Sequence, residues 1–405
     1  MSSRTGGRIL VDQLRAHGVR QVFCVPGESY LAVLDALHES GIGTIVCRQE
    51  GGAAYMAEAA GKMTGQPGIV MVTRGPGATN ASGGIHVAAQ DSTPLIMFVG
   101  QVARDMRDRE AFQELDYRAV FGSIAKWVVE IDRAERIPEL VSRAFHVACQ
   151  GRPGPVVVAL PEDMLTETAV CADAPCFSPV VTRPGADDME ALRRRLLAAA
   201  RPIVIAGGSG WTARGVDDLM RFAENFALPV AVSFRRQMLF PADHPNFAGD
   251  IGIGPNPRLL ERVRAADLVL LAGGRLSEMP AQGYALLDVP GDGRRLIHVH
   301  PGAEELNKTY RAGLGILATP HAFAAAAAAL PRPDAVPWAG AAASAHADYL
   351  DWSNPAKITT PGALQMAGVM AHLREAMPAD TICCNGAGNY ATWLNRFWPY
   401  RSFAS

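Results

Sequence analysis

Glu50 has the setting in this chain most suited to chemistry. It stands in TIVCRQEGGAAYMAEAAGKMTG, where a β-branched run ending near Cys47 gives way to a helix of small residues, Gly51, Gly52, Ala53, Ala54 and Ala57. A carboxylate so placed sits at the carboxyl edge of a parallel strand, where doubly wound sheets bind ligands, and it can hold a proton on a bound group. The helix dipole also favours any acidic residue near a helix N-terminus, which is the plainer reading of the same spacing. A second candidate is GIVMVTRGPGATN, a strand followed by Gly75, Pro76 and Gly77 and a helix expected to begin near Ala78–Thr79. Glycines there expose backbone N–H groups and permit close approach, although the run is neither GxGxxG nor a Walker loop and a tight turn would serve as well. His86 and Gln90, one helical turn apart, share a face. His244 is isolated and the His298/His300 pair has no further ligand at suitable spacing, so a metal site at these histidines is not expected.

These residues need a scaffold, and the chain alternates β-branched runs with helical patterns to build one. VRQVFCV, GTIVC, GIVMVT, PLIMFVG and PVVVAL are apolar on consecutive positions, as strands covered on both faces are, which predicts a parallel sheet over residues 1–168. ETAVCADAPCFSPVVTRPGADD breaks the pattern and reads as a linker at 169–186. Alternation resumes with MEALRRRLLAAA, PIVIAGG, PVAVS, ADLVLLAGG and RRLIHVH, a second α/β domain over 187–330. A Pro- and Ala-rich stretch, 331–360, reads as another linker, and 361–405 supplies a helix, an expected strand DTICCNGAG and little more. The fold class is therefore α/β, successive doubly wound parallel-sheet domains with the start of a third.

Composition narrows the function. The 405 residues are 49% hydrophobic and 19% charged with a formal net charge of −2, which argues against disorder and against an electrostatic nucleic-acid binder and favours a small-molecule partner. Seven scattered cysteines lack paired CxxC spacing, and no apolar signal core or uncharged run of about 18 residues is visible, so a cytoplasmic location in a reducing compartment, away from membrane and nucleic acid, is expected.

The order of the pieces adds more. VFCVPGESYLAVLDAL, CRQEGGAAYMAEAAGKMTG, TRGPGATNASGGIHVAAQDSTPLIMFVGQV, REAFQELDYRAVFGSIAKW and GRPGPVVVALPEDML resemble, in sequence and order, the N-terminal pyrimidine-binding domain of thiamine diphosphate enzymes of the acetolactate synthase-like group. The resemblance covers residues 6–168 and continues more loosely to about 330 through a Rossmann-like middle domain. It implies a decarboxylase or carboligase of 2-keto acids such as pyruvate, using thiamine diphosphate and Mg2+, assembled as a homodimer or tetramer, with branched-chain amino acid biosynthesis as a setting. It implies that Glu50 hydrogen-bonds N1′ of the cofactor's aminopyrimidine, favouring the imino tautomer whose 4′-nitrogen acts on the thiazolium C2–H. By the same resemblance Gly27, Gly75, Pro76 and Asn80 contact cofactor, Phe112 and Gln113 lie over the active site, with Gln113 joining Glu50 among the catalytic residues, and Gly386, Gly388 and Asn389 in GAGNY belong to a diphosphate-contacting loop.

The sequence departs from the group in four places. Glu162 stands in PEDM where acetolactate synthases have a lysine. Arg152 and Arg275 sit where flavin-binding members keep arginines, yet GDIGIGPNP and Leu276–Ser277 replace the accompanying histidine turn and acidic pair, which favours a middle domain without FAD. GDG at Gly291–Gly293 precedes a middle-domain strand and reads as a turn, so the expected metal ligands lie beyond Ser405 and the chain by itself is expected to bind cofactor weakly. The alternative reading is a noncatalytic cofactor- or nucleotide-binding protein that keeps two Rossmann-like domains.

Overall fold

A computed structural model of the chain describes residues 2–403, which divide into two compact units at Val180/Val181. In the first, a two-residue strand β1 (Arg4–Thr5) is followed by β2 (Gln21–Cys24), β3 (Gly43–Val46), β4 (Gly68–Val72), β5 (Leu95–Gln101), β6 (Trp127–Glu130), β7 (Pro155–Pro161) and the short β8 (Thr168–Ala169). β1 pairs antiparallel with β8, while the other six form one parallel sheet in the order β3-β2-β4-β5-β7-β6. β4, β5 and β7 are buried at every position, which explains their unbroken apolar runs. One core, with Ile9, Leu10, Phe98 and Val158, covers one set of strand side chains, and a second, with Ala53, Ala57, Ala81 and Val70, covers the other.

Residues 169–180 are held to the first unit rather than left as a free linker. Gln13 exchanges two hydrogen bonds with the Ala174 backbone (3.0 and 2.8 Å), and Gln150 does the same with Val180 (3.0 and 3.0 Å). Cys171 and Phe177 pack against the first core.

The second unit carries β9 (Pro202–Ala206), β10 (Val230–Val232), β11 (Phe247–Asp250), β12 (Leu268–Ala272), β13 (Leu296–His300) and β14 (Leu314–Leu317), parallel in the order β11-β10-β9-β12-β13-β14. Both sheets are thus doubly wound. Within the segment read as a linker at 331–360, Ala341–Trp352 forms a helix. Its Ala342, Ala345 and Tyr349 recur at i, i+3 and i+7, and Tyr349 packs edge-on against Phe247 at 4.8 Å. The expected strand in DTICCNGAG is not formed; among the described residues no strand lies beside it to complete a ladder. Helices Met366–Ala376 and Ala391–Phe397 meet instead in a small cluster of Met370, Phe397 and Trp398.

Candidate functional site

The first sheet reverses its winding between β2 and β4, and the loops at their carboxyl ends converge there with the one after β3. After β3, Gln49 caps a helix by accepting from the Gly52 N–H at 2.9 Å, so Glu50 is the first residue of Glu50–Thr64. After β4, the helix Pro76–Asp91 begins at Pro76, two residues earlier than the sequence suggested, because proline at N1 needs no N–H donor and has its φ already set. The two helices pack through small residues: a Cβ on Gly84 would lie 2.5 Å from that of Ala54. This close approach lets Asn80 Nδ2 donate to Glu50 Oε2 at 3.0 Å. A Cβ on Gly77 would lie 3.4 Å from the other oxygen, Oε1, and 2.8 Å from Thr73 Cγ2, so glycine keeps a side chain out of this crowded corner.

Two further glycines close the arrangement. A Cβ on Gly27 would meet Thr73 Cβ at 2.4 Å, and Gly75, at φ +55°, would meet the Gln113 carbonyl at 2.7 Å. Gly27, Glu50, Gly75, Pro76, Asn80 and Gln113 therefore share one edge of one sheet. Phe112, beside Gln113, is 78% exposed and so is not part of the core. His86 and Gln90 are exposed on the helix Pro76–Asp91, whose buried face carries Gly77, Ala81 and Ala88.

Other sequence candidates have different surroundings. Arg152 donates to Ala89 O (2.6 Å) and Ser92 Oγ (2.9 Å), at the end of the helix Pro76–Asp91 and so at the opposite edge of the sheet from Glu50. Arg275 follows β12 in the second unit, half-buried, and Gly386, Gly388 and Asn389 lie in an exposed turn of that unit. Gly291–Gly293 is a tight turn in which Asp292 accepts from the Arg294 N–H at 2.8 Å. His298 Nε2 donates to Gly274 O at 2.9 Å, and burial holds its pKa below the ordinary range. His300 Nδ1 accepts from the Gly302 N–H at 3.0 Å, and His244 bridges Glu224 and Asn246. Among the described residues no group of three or more His, Cys, Asp and Glu is placed to hold a metal, and no helix is long and apolar enough to cross a membrane.

Sequence reasoning missed four residues that build the site. Arg74 pairs with Glu162 at 2.7 Å, Ser29 Oγ lies 2.9 Å from Thr73 Oγ1, and Tyr117 Oη reaches the Gly75 N–H at 3.2 Å. Ser29, Thr73 and Arg74 were signalled only by nearness to Gly27 and Gly75 in the sequence, and Tyr117 by nothing.

The first unit is a parallel, doubly wound α/β domain with a carboxylate and glycine-rich turns at its switch point, the place where such sheets bind ligands. Comparison with known families agrees: residues 4–120 match the thiamine pyrophosphate enzyme N-terminal TPP binding domain and residues 189–327 match the central domain of the same enzymes. Acetolactate synthase isozyme 2 large subunit of Escherichia coli is 30% identical over 393 residues, covering 96% of this chain and 69% of that protein. The acetolactate synthase large subunit of Haemophilus influenzae is 34% identical over 286 residues, covering 69% of this chain and 50% of its own length. That of Lactococcus lactis is 28% identical over 413 residues, covering 98% and 69%. The chain belongs to the thiamine pyrophosphate-dependent, acetolactate synthase-like family, and it spans about half the length of some relatives it matches, 50% and 56% for two of them.

Proposed function

We propose that this protein takes part in decarboxylation or carboligation of a 2-keto acid such as pyruvate, with thiamine diphosphate held at the Glu50 edge of the first sheet. The arrangement of Glu50, Asn80 and Gly77 carries the reading: one carboxylate oxygen is held by an amide and the other lies beside Gly77, which brings no side chain of its own. An aminopyrimidine fits that chemistry, since its protonated N1′ needs a carboxylate acceptor and its flat ring needs room. Thiamine diphosphate, when bound, supplies a thiazolium that serves as carbon nucleophile and electron sink for loss of carbon dioxide. Glu50 holds the proton at N1′, Asn80 keeps the carboxylate oriented, and Gly27 and Gly75 let the backbone approach. Gln113, packed on Gly75, is positioned to orient substrate over the cofactor.

Mg2+ accompanies the diphosphate in this reading, but no described residue is assigned to it. A homo-oligomer belongs to the same reading, supported by Tyr55 and Met56, 49% and 48% exposed on the Glu50 helix. Flavin is not part of the proposal, because Arg152 is committed to the helix end at Ala89 and Ser92. Calorimetric titration with thiamine diphosphate and magnesium, compared between the protein and its Glu50→Gln variant, tests the reading. Saturable binding weakened by the substitution supports it; identical titrations of the two proteins contradict it.

A further inference from the structure

Tyr117 opens the short helix Tyr117–Phe121, whose N-cap, Asp116, accepts from the Arg118 and Ala119 N–H groups at 2.9 and 3.1 Å. Although it begins a surface helix, Tyr117 is only 2% exposed. Its hydroxyl donates to Gly100 O at 2.9 Å, at the end of β5, and accepts from the Gly75 N–H at 3.2 Å, in the turn after β4. Burial pushes the phenol's pKa up to about 12, so the hydroxyl stays protonated at neutral pH.

Both groups it bridges lead to the site. Gly75 adopts φ +55° and ψ −105°, and its Cα side abuts Gln113, four residues before Tyr117 in the chain. Gly100 abuts Ser29, since a Cβ there would fall 1.9 Å from Ser29 Oγ. Ser29 Oγ in turn lies 2.9 Å from Thr73 Oγ1 and accepts from the Arg74 N–H at 3.4 Å. Thr73 touches the positions of both Gly27 and Gly77, and Gly77 faces Glu50 Oε1. One phenol thus ties a strand end to the turn that forms the floor beside the carboxylate. Without it the Gly75 N–H would be a buried donor lacking a partner, and an unusual backbone conformation would lose its restraint.

We infer that Tyr117 is a positioning residue for the cofactor's pyrimidine end, holding the Thr73–Gly77 turn at its working distance from Glu50 through the Gly75 N–H. The inference rests on the thiamine diphosphate reading above. It predicts a specific kind of loss: geometry at Glu50 deteriorates while the fold and most of the cofactor contacts survive.

Tyr117→Phe keeps the ring and removes the hydroxyl. Hydrogen–deuterium exchange at C2 of thiamine diphosphate, measured by NMR with magnesium and corrected for the fraction of cofactor bound, is the readout. Exchange per bound cofactor should fall about 10–100-fold, the scale of a sub-ångström to ångström misplacement, while the cofactor Kd stays within about threefold. Ser29→Ala, which loosens the same turn from its other side, should lower exchange per bound cofactor in the same direction and serves if the Phe variant does not fold. Lower thermal stability with unchanged exchange per bound cofactor in the variants would overturn the inference, showing a structural tyrosine only. Glu50→Gln, run alongside, separates the two claims. Loss of exchange in Glu50→Gln but not in Tyr117→Phe or Ser29→Ala refutes positioning and leaves the cofactor reading standing; no acceleration by the unsubstituted protein over free cofactor refutes the cofactor reading and the inference together.

Discussion

Arg74 Nη1 and Glu162 Oε2 form a 2.7 Å ion pair that ties the turn after β4 to the end of β7. The acidic residue at 162 has a reason in this structure: it answers an arginine one residue before Gly75. The pair is partly shielded, with side-chain exposures of 15% and 36%.

Glu162→Lys would place two cations together, and the expected cost is about 1–2 kcal/mol, between exposed and buried pairs, or about 3–6 °C in Tm. The exchanged pair, Arg74→Glu with Glu162→Lys, should recover part of that loss. A double-mutant cycle by thermal unfolding checks it, and strictly additive effects would show that the two side chains do not support each other.

Gly77→Ala adds a methyl 2.8 Å from Thr73 Cγ2 and 3.4 Å from Glu50 Oε1. Overpacking of this kind costs about 1–3 kcal/mol. The variant should fold but bind thiamine diphosphate at least about tenfold more weakly, which is about 1.4 kcal/mol. Unchanged binding by calorimetry would place the cofactor away from Gly77.

In the second unit Asp250 accepts from the Gly252 N–H at 2.7 Å and from Gln237 Nε2 at 2.9 Å, and desolvation raises its pKa to about 7 from 3.8. Its folded-state pKa lies above the unfolded one, so the unfolded chain releases this proton first. The stabilising contribution is complete below about pH 4 and is lost as pH rises through about 7. Asp250→Asn should remove that slope and raise Tm by about 2 °C or more at pH 8 relative to the parent. Parallel Tm profiles from pH 4 to 8 for the two proteins would contradict the assignment.

Much of the architecture was legible because its cause is local. β4, β5 and β7 announce themselves by unbroken apolar runs, which only strands covered on both faces sustain. β6, with Trp127, Val128 and Glu130 half-buried at the sheet edge, and β11, which contains Gly249 and Asp250, lack that signal. The helix Ala341–Trp352 was hidden because alanine marks neither a polar nor an apolar face. Glu50 and Gly75 stood out as motif residues, whereas Tyr117, Ser29 and Thr73 did not. Their roles come from backbone atoms of Gly75, Gly100 and Arg74, and from the Ser29–Thr73 hydroxyl pair, that only the folded sheet brings within reach.

Purified protein should show no yellow flavin absorbance, since Arg152 is tied to Ala89 and Ser92. Release of FAD in stoichiometric amount on denaturation would contradict this.

The central claim, that Glu50 holds the proton at the pyrimidine N1′, is tested most directly by C2 hydrogen–deuterium exchange of thiamine diphosphate at millimolar cofactor with magnesium. The protein should accelerate exchange over free cofactor, and Glu50→Gln, similar in shape but uncharged, should lose about 10²–10⁴-fold of that rate. Exchange at the parent rate in the Gln variant would contradict it.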